Sequence, residues 1–152
     1  MKKLPGEGGF FVPTWTSSQK GPGDRLLSSS ILFLITEAEF SALHRLRMDE
    51  IWHFSAGDPA ELVIMGQQGD QCRVLVMGSD LETGHVPQAI VQAGEWQGAR
   101  ILEPGAPGAK GWTLFGCTVS PAWDEREFEL GRREALLAEF PSHGERILAL
   151  TR

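Results

Sequence analysis

With four histidines, two cysteines and no tyrosine, this chain has few side chains able to move a proton or hold a metal near neutral pH. The densest stretch of such residues is Phe40-Ser-Ala-Leu-His44-Arg-Leu46-Arg-Met-Asp-Glu50-Ile-Trp52-His53-Phe54, followed by Ala56-Gly57-Asp58-Pro59. In strand geometry alternate residues share a face. Ala42, His44 and Leu46 would then point one way on one strand, and Glu50, Trp52 and Phe54 would share a face on the next. His44 and Glu50 can both face one interior. A carboxylate there orients the imidazole so that it takes a proton from a carbon next to a carbonyl. The plainer alternative is a buried His–Glu hydrogen bond with no chemistry.

The elements that must position this pair read as strands. The 18 Gly and 9 Pro residues punctuate short segments rich in Val, Ile, Leu, Phe and Trp, as in an all-β sandwich or barrel. The pattern predicts strands near Phe10–Trp15, Ser30–Ile35, Ala42–Leu46, Glu50–Ser55, Glu61–Met65, Cys72–Met77, Ala89–Val91, Trp96–Ile101 and Trp112–Thr118. Thr36 and Glu39 have capping-box spacing, enough for one helical turn. After Pro121 the texture changes. Asp124–Leu130 and Arg132–Phe140 suit helices, Pro141 ends the second, and a capping box of Ser142 with Glu145 opens a third over Ile147, Leu148 and Leu150. The expected plan is one domain over residues 1–152, a β-barrel over about 9–119 with a helical tail over 120–152. Gly105, Gly108 and Gly111 lack the GK[ST] of a phosphate loop and read as a hairpin connection.

Composition narrows the partners. The formal charge is −6 with basic residues scattered, which argues against nucleic acid. Ile31–Ile35 is the longest apolar run, far short of the roughly 20 residues that cross a bilayer, so no membrane partner is expected. The start Met1-Lys2-Lys3 is followed by Pro and Gly instead of an apolar stretch, so export is not indicated and the chain reads as cytoplasmic. Cys72 and Cys117 fit neither a CxxC pair nor a zinc pattern and read as free thiols.

The spacing His44-x-Leu46-x3-Glu50-x6-Gly57 resembles the first cupin motif, with Leu46 where a second His normally stands. Gln92-Ala-Gly94-Glu-Trp96-Gln97 similarly resembles the second motif, with Gln97 at its His position. Gly8-Gly9-Phe10-Phe11, Asp49–Phe54, Ala56–Pro59, Gly116-Cys117-Thr118-Val119 with Pro121, and Asp124-x3-Phe128-Glu129-Leu130 resemble a family of single-domain bacterial and fungal cupins along nearly the whole chain. The resemblance implies a double-stranded β-helix, or jelly-roll barrel, with short C-terminal helices. Metal-binding cupins hold their ion with three His and one Glu at these positions. Leucine cannot ligate and a glutamine carbonyl is a poor ligand for a transition metal, so no cofactor is expected. If a divalent transition metal were bound, His44 and Glu50 would hold it with Gln97 or His53. The sugar-epimerase-like cupins also use a Tyr as acid, which this chain lacks; Cys117, His53 or water would have to replace it.

The leading expectation is a homodimer, by resemblance, with Trp15 at the contact. Its barrel would bind a small polar molecule, sugar-like or carboxylate-bearing, and isomerise or epimerise it. His44 and Glu50 are the expected catalytic pair, with Trp52, Gln97, His53 and Cys117 as ligand-binding residues. A metal-dependent isomerase or dioxygenase and a non-catalytic ligand-binding or sensing module are the alternatives.

Overall fold

Alternation along Trp112–Ser120 sets the pattern for the molecule, with Thr113, Phe115, Cys117 and Val119 buried and the residues between them half-buried. The computed structural model describes residues 1–66 and 70–152. In these the strands are β1 (Lys2–Lys3), β2 (Phe10–Thr16), β3 (Ser29–Thr36), β4 (Ser41–Leu46), β5 (Asp49–Gly57), β6 (Ala60–Met65), β7 (Cys72–Met77), β8 (Gln88–Val91), β9 (Trp96–Ile101), β10 (Trp112–Ser120) and β11 (Phe128–Leu130). The helices α1 (Arg133–Glu139) and α2 (Gly144–Ala149) follow. One sheet has the order β1-β2-β3-β10-β5-β8 and the other β11-β4-β9-β6-β7, with the named strand pairs antiparallel. The result is a double-stranded β-helix. Each of the nine strands expected from the sequence is present, with ends shifted by two residues at most.

The inner faces of the two sheets meet over Phe33, Trp52, Leu62, Ile64 and Phe115. Trp52 packs edge-on against Phe33 and Phe115, at ring-centroid distances of 5.8 and 5.1 Å. Strand β6 is buried at every position, which a two-layer barrel alone would not produce. Its second face, with Leu43 and Trp96, lies beneath the tail, where Leu136, Phe140, Ile147 and Leu150 complete a second apolar cluster. Strands covered on both sides read as continuous apolar runs instead of alternating ones.

Two expectations for the tail are corrected. Asp124–Leu130 is not a helix. Asp124 caps a single 3₁₀ turn over Glu125–Glu127, and Phe128–Leu130 then pairs with Leu46–His44 as β11. The free edge of β4 offers main-chain hydrogen bonds that outweigh the modest helix propensity of this short segment. Nor does Ser142 cap α2. A 3₁₀ turn over Pro141–His143 intervenes, and the Ser142 N–H donates to Asp70 Oδ2 at 3.3 Å. At Thr36 only half of the expected capping box forms, with the hydroxyl accepting from the Glu39 N–H at 3.2 Å.

The turn after β5 is held by its own sequence. Gly57 has φ of +108°, and a Cβ there would lie 2.3 Å from the Trp112 carbonyl oxygen, so only glycine fits. The Asp58 carboxylate accepts main-chain N–H bonds from Lys110 and Gly111, at 2.8 and 2.6 Å, which hold its pKa below the ordinary value. The glycine-rich connection between β9 and β10 is thereby anchored at its end.

Replacing Phe140, fully buried under the second sheet, with Ala should cost about 3–5 kcal/mol, the usual range for removing a core aromatic ring. Chemical denaturation with circular dichroism checks this; a loss below about 1 kcal/mol would mean that the tail is not part of the cooperative core.

Candidate functional site

His44 enters the interior from β4, where it lies opposite Gln97 of β9. Glu50 and Trp52 enter from β5 in the other sheet, and Cys117 from β10 lies opposite Trp52. All five side chains are buried. The period-two pattern of the strands thus brings His44, Glu50, Trp52, Gln97 and Cys117 together across the gap between the sheets. His53 is left out. It has the opposite parity, and its Nδ1 lies 3.3 Å from the Gln88 side chain on the outer face.

The hydrogen bonds fix the chemistry of each group. The Trp52 indole N–H can only donate, and it donates to Gln97 Oε1 at 2.7 Å. That sets the amide's orientation, so Gln97 Nε2 donates to Glu50 Oε2 at 2.6 Å. His44 Nδ1 lies 2.8 Å from the Ala42 carbonyl oxygen, which can only accept, so Nδ1 carries the proton and Nε2 the lone pair. The His44 ring stacks on Phe128 at 5.4 Å, so β11 also steadies the imidazole.

A further group joins this set, and no periodicity in the sequence marks it. Glu7 sits in the tight loop between β1 and β2 but is buried, with Oε1 accepting from the Ser41 hydroxyl at 2.8 Å and standing 3.8 Å from His44 Nδ1. Its placement comes from the other end of the chain. The Arg152 guanidinium donates to the carbonyl oxygens of Glu7 at 2.6 Å and Gly6 at 3.2 Å, and its plane covers the Phe40 ring at 4.1 Å. The one sequence signal was a charged residue inside Pro5-Gly6-Glu7-Gly8-Gly9, next to residues that carry the family resemblance.

Burial governs the ionisation of these groups. It raises the Glu7 pKa to about 8, against the lowering effects of the Ser41 hydroxyl and the Arg152 charge. It raises Glu50 to about 7, with His44 opposing and Glu7 adding to the rise. The same desolvation lowers His44 and pushes the Cys117 thiol well up. At neutral pH the site therefore holds a neutral imidazole with an available Nε2, a largely protonated Glu7, a Glu50 near its midpoint and an un-ionised thiol.

These groups form one end of a cavity of about 280 Å³. Phe11, Pro13, Leu26 and Ile31 line its apolar walls, and Trp15 and Trp123, 53% and 47% exposed, stand among the lining residues. Leu46 presents its side chain to the same space. Trp52 lines the cavity as expected of a ligand-binding residue, together with Trp15 and Trp123. Trp96 lies under the tail helices beneath the Arg45 guanidinium, and Trp112 and the 103–111 connection lie outside the cavity lining.

The donor set does not suit a cupin-type metal. Gln97 spends its only ligating atom on Trp52 and turns its N–H groups toward Glu50. Leu46 has no donor atom, and His53 faces away. Among the described residues no group of three or more His, Cys, Asp and Glu side chains is arranged to hold a metal ion.

Residues 1–131 match the sequence model of the family described as Cupin_5, Cupin superfamily (DUF985). Two solved structures resemble the chain over most of its length. A hypothetical protein from Leishmania major is 30% identical with a TM-score of 0.87, over 95% of this chain and 90% of that one. A Shewanella oneidensis protein is 36% identical with a TM-score of 0.86, over 96% and 88%. Oxalate decarboxylase from Bacillus subtilis shares the fold alone, at 14% identity and a TM-score of 0.60, over 98% of this chain and 36% of that one. No curated protein matches. The motifs around His44, Glu50 and Gln97, the double-stranded β-helix and the family match agree, and the chain belongs to the Cupin_5 (DUF985) family of the cupin superfamily.

Proposed function

We propose that this protein binds a small molecule in its barrel cavity and moves a proton on it, in an isomerase- or epimerase-like reaction. One observation carries the reading: an imidazole with its lone pair on Nε2 stands with two buried carboxyl groups in the lining of a largely apolar cavity. His44 Nε2 would accept the proton from a carbon next to a carbonyl. A protonated carboxyl, Glu7 foremost, would give its proton to the carbonyl oxygen. For an α-hydroxy carbonyl, return of the proton from the imidazolium to the neighbouring carbon of the enediol, with loss of the other hydroxyl's proton to the carboxylate, completes the isomerisation and restores both groups. Glu7 then supplies the acid that a tyrosine-free chain otherwise lacks. Cys117, with its thiol pKa raised, serves as wall and not as nucleophile. Gln97, behind Glu50, acts as a positioning residue, and Trp52 borders the occupant while fixing Gln97. The apolar walls favour an occupant that is polar at one end only over a uniformly polar one.

A homodimer is also part of the proposal. Strand β1 pairs only with Phe10 and Phe11 of β2, so among the described residues the outer edge from Val12 to Thr16 has no strand partner. Val12 and Trp15 are exposed there. An open edge with apolar side chains suits a second copy. The free thiols Cys72 and Cys117 fit a reducing compartment, and we place the protein in the cytoplasm. No helix among the described residues is long and apolar enough to cross a membrane.

Three measurements test this section. Proton NMR in D₂O of uncharged aldehydes and ketones with wild-type protein should show deuterium entering next to the carbonyl; His44→Ala should abolish the exchange and Glu7→Gln should slow it about 10²–10⁴-fold. Equal exchange with His44→Ala would sink the role of His44, and binding without exchange would leave a binding module. In light scattering the mass should be twice the 16.7 kDa of one chain, falling to one chain in Trp15→Glu; a monomeric wild type refutes the dimer. Finally, stability should fall with rising pH. The folded pKa values of Glu7, about 8, and Glu50, about 7, lie above the ordinary 4.5, so folding favours the protonated carboxyls. Their contribution is complete below pH 4.5 and is lost as pH passes 7 and then 8. His44, with its folded pKa lowered from 6.5, acts in the opposite sense below pH 6.5. Between about pH 6.5 and 9 the melting temperature should therefore drop, and Glu7→Gln should flatten the slope; an unchanged slope would show that Glu7 is not buried as a neutral acid.

A further inference from the structure

The charges around the cavity are one-sided. Glu7 and Glu50 both line it, yet no Lys or Arg is among the lining residues. Two arginines lie next to the lining but have other partners: Arg152 donates to the carbonyl oxygens of Gly6, Glu7 and Phe40 and to Glu39, and Arg25 donates to the Ala122 carbonyl and pairs with Glu127. The remaining polar groups are largely committed to one another. In the lining, Ser30 bonds Thr118 and the Ser29 hydroxyl accepts from the Trp123 N–H, while behind it Gln97 serves Trp52 and Glu50 and Ser41 serves Glu7. An anionic ligand would bring its charge to two buried carboxyl groups and find no Lys or Arg side chain in the lining to meet it. A cation would meet the opposite situation, since a carboxyl that ionises against it gains the partner it lacks.

We infer that the cavity selects a small organic ammonium ion with an apolar body, its charged end paired with the Glu7–Glu50 carboxyls and its body against the apolar and aromatic wall. The inference rests on the proposed binding role of the cavity and narrows its substrate class. One ammonium needs one carboxylate. Glu50, whose Oε2 already accepts from the Gln97 amide, ionises to pair with it, and Glu7 keeps the proton that the acid–base reading requires. The released proton goes to solvent. Aromatic rings that line the cavity, Trp52 and Phe33 among them, suit a cation stripped of water, because ring faces attract positive charge. On this inference a carboxylate-bearing ligand is disfavoured, because no Lys or Arg among the lining residues can meet its charge.

Three probes of one shape and different charge decide the matter: 2-phenylethylamine, 2-phenylethanol and 3-phenylpropionate, each titrated calorimetrically into the full-length protein at pH 7.5. The ammonium should bind about tenfold or more tightly than the alcohol, with the carboxylate weakest, about 1.4 kcal/mol for each factor of ten. Glu50→Gln, checked for a native melting transition, should remove most of the preference for the ammonium over the alcohol, and a preference that survives this change would overturn the pairing with Glu50. Equal binding of ammonium and alcohol would overturn the charge assignment and leave the cavity as a binding site. Tighter binding of the carboxylate would overturn it outright. Absence of binding by all three would overturn both this inference and the binding role beneath it.

Discussion

The organising constraint is a buried carboxyl group satisfied across the gap between two sheets. Glu50 and Trp52 belong to one strand, Gln97 to a strand of the opposite sheet, and the glutamine amide bridges them with one bond in each direction. Because an indole only donates, the amide has no freedom to turn. An unsatisfied polar group in such surroundings would cost about 1–3 kcal/mol, so this bridge fixes how the two sheets register against each other. It also fixes what the interior can do. The amide oxygen, taken up by the indole, is not left for a metal, and the amide N–H holds the carboxyl in place.

Around that bridge the barrel behaves as a low-dielectric container. Its walls deprive Glu7, Glu50, His44 and Cys117 of water, and each responds by favouring its uncharged form. Four titratable groups thus share one interior without a charge cluster that would need a metal to hold it together. Leu46 contributes to the same end, filling with hydrocarbon a position where other cupins place a ligand.

Much of this was legible from period-two patterning. The parity argument put His44 with Glu50 and turned His53 outward, as the strands place them. The errors have physical causes. Phe128-Glu129-Leu130 carries residues that suit a helix as well as a strand, and its state is decided by the open edge of β4, a partner 84 residues away at Arg45 and Glu129. Ser142 has the right spacing for a cap, but the turn imposed after Pro141 displaces the helix start past it. Glu7 was invisible for a third reason. A loop residue surrounded by glycines has no periodicity to report its burial, which is decided by Ser41, Arg152 and the path of the last residues.

That path links two parts of the molecule usually treated apart. Residues 150–152 are stitched to the barrel by the Leu43 N–H to the Leu150 carbonyl at 2.8 Å, by Arg133 to the Thr151 carbonyl at 2.6 Å, and by Arg152 to the Glu7 loop, across 145 residues of sequence. The helical tail is therefore a latch on the acid of the cavity. Loss of these last contacts would release Glu7 and admit water to its carboxyl, so the ionisation of the cavity is tied to how firmly residues 150–152 are held against the barrel.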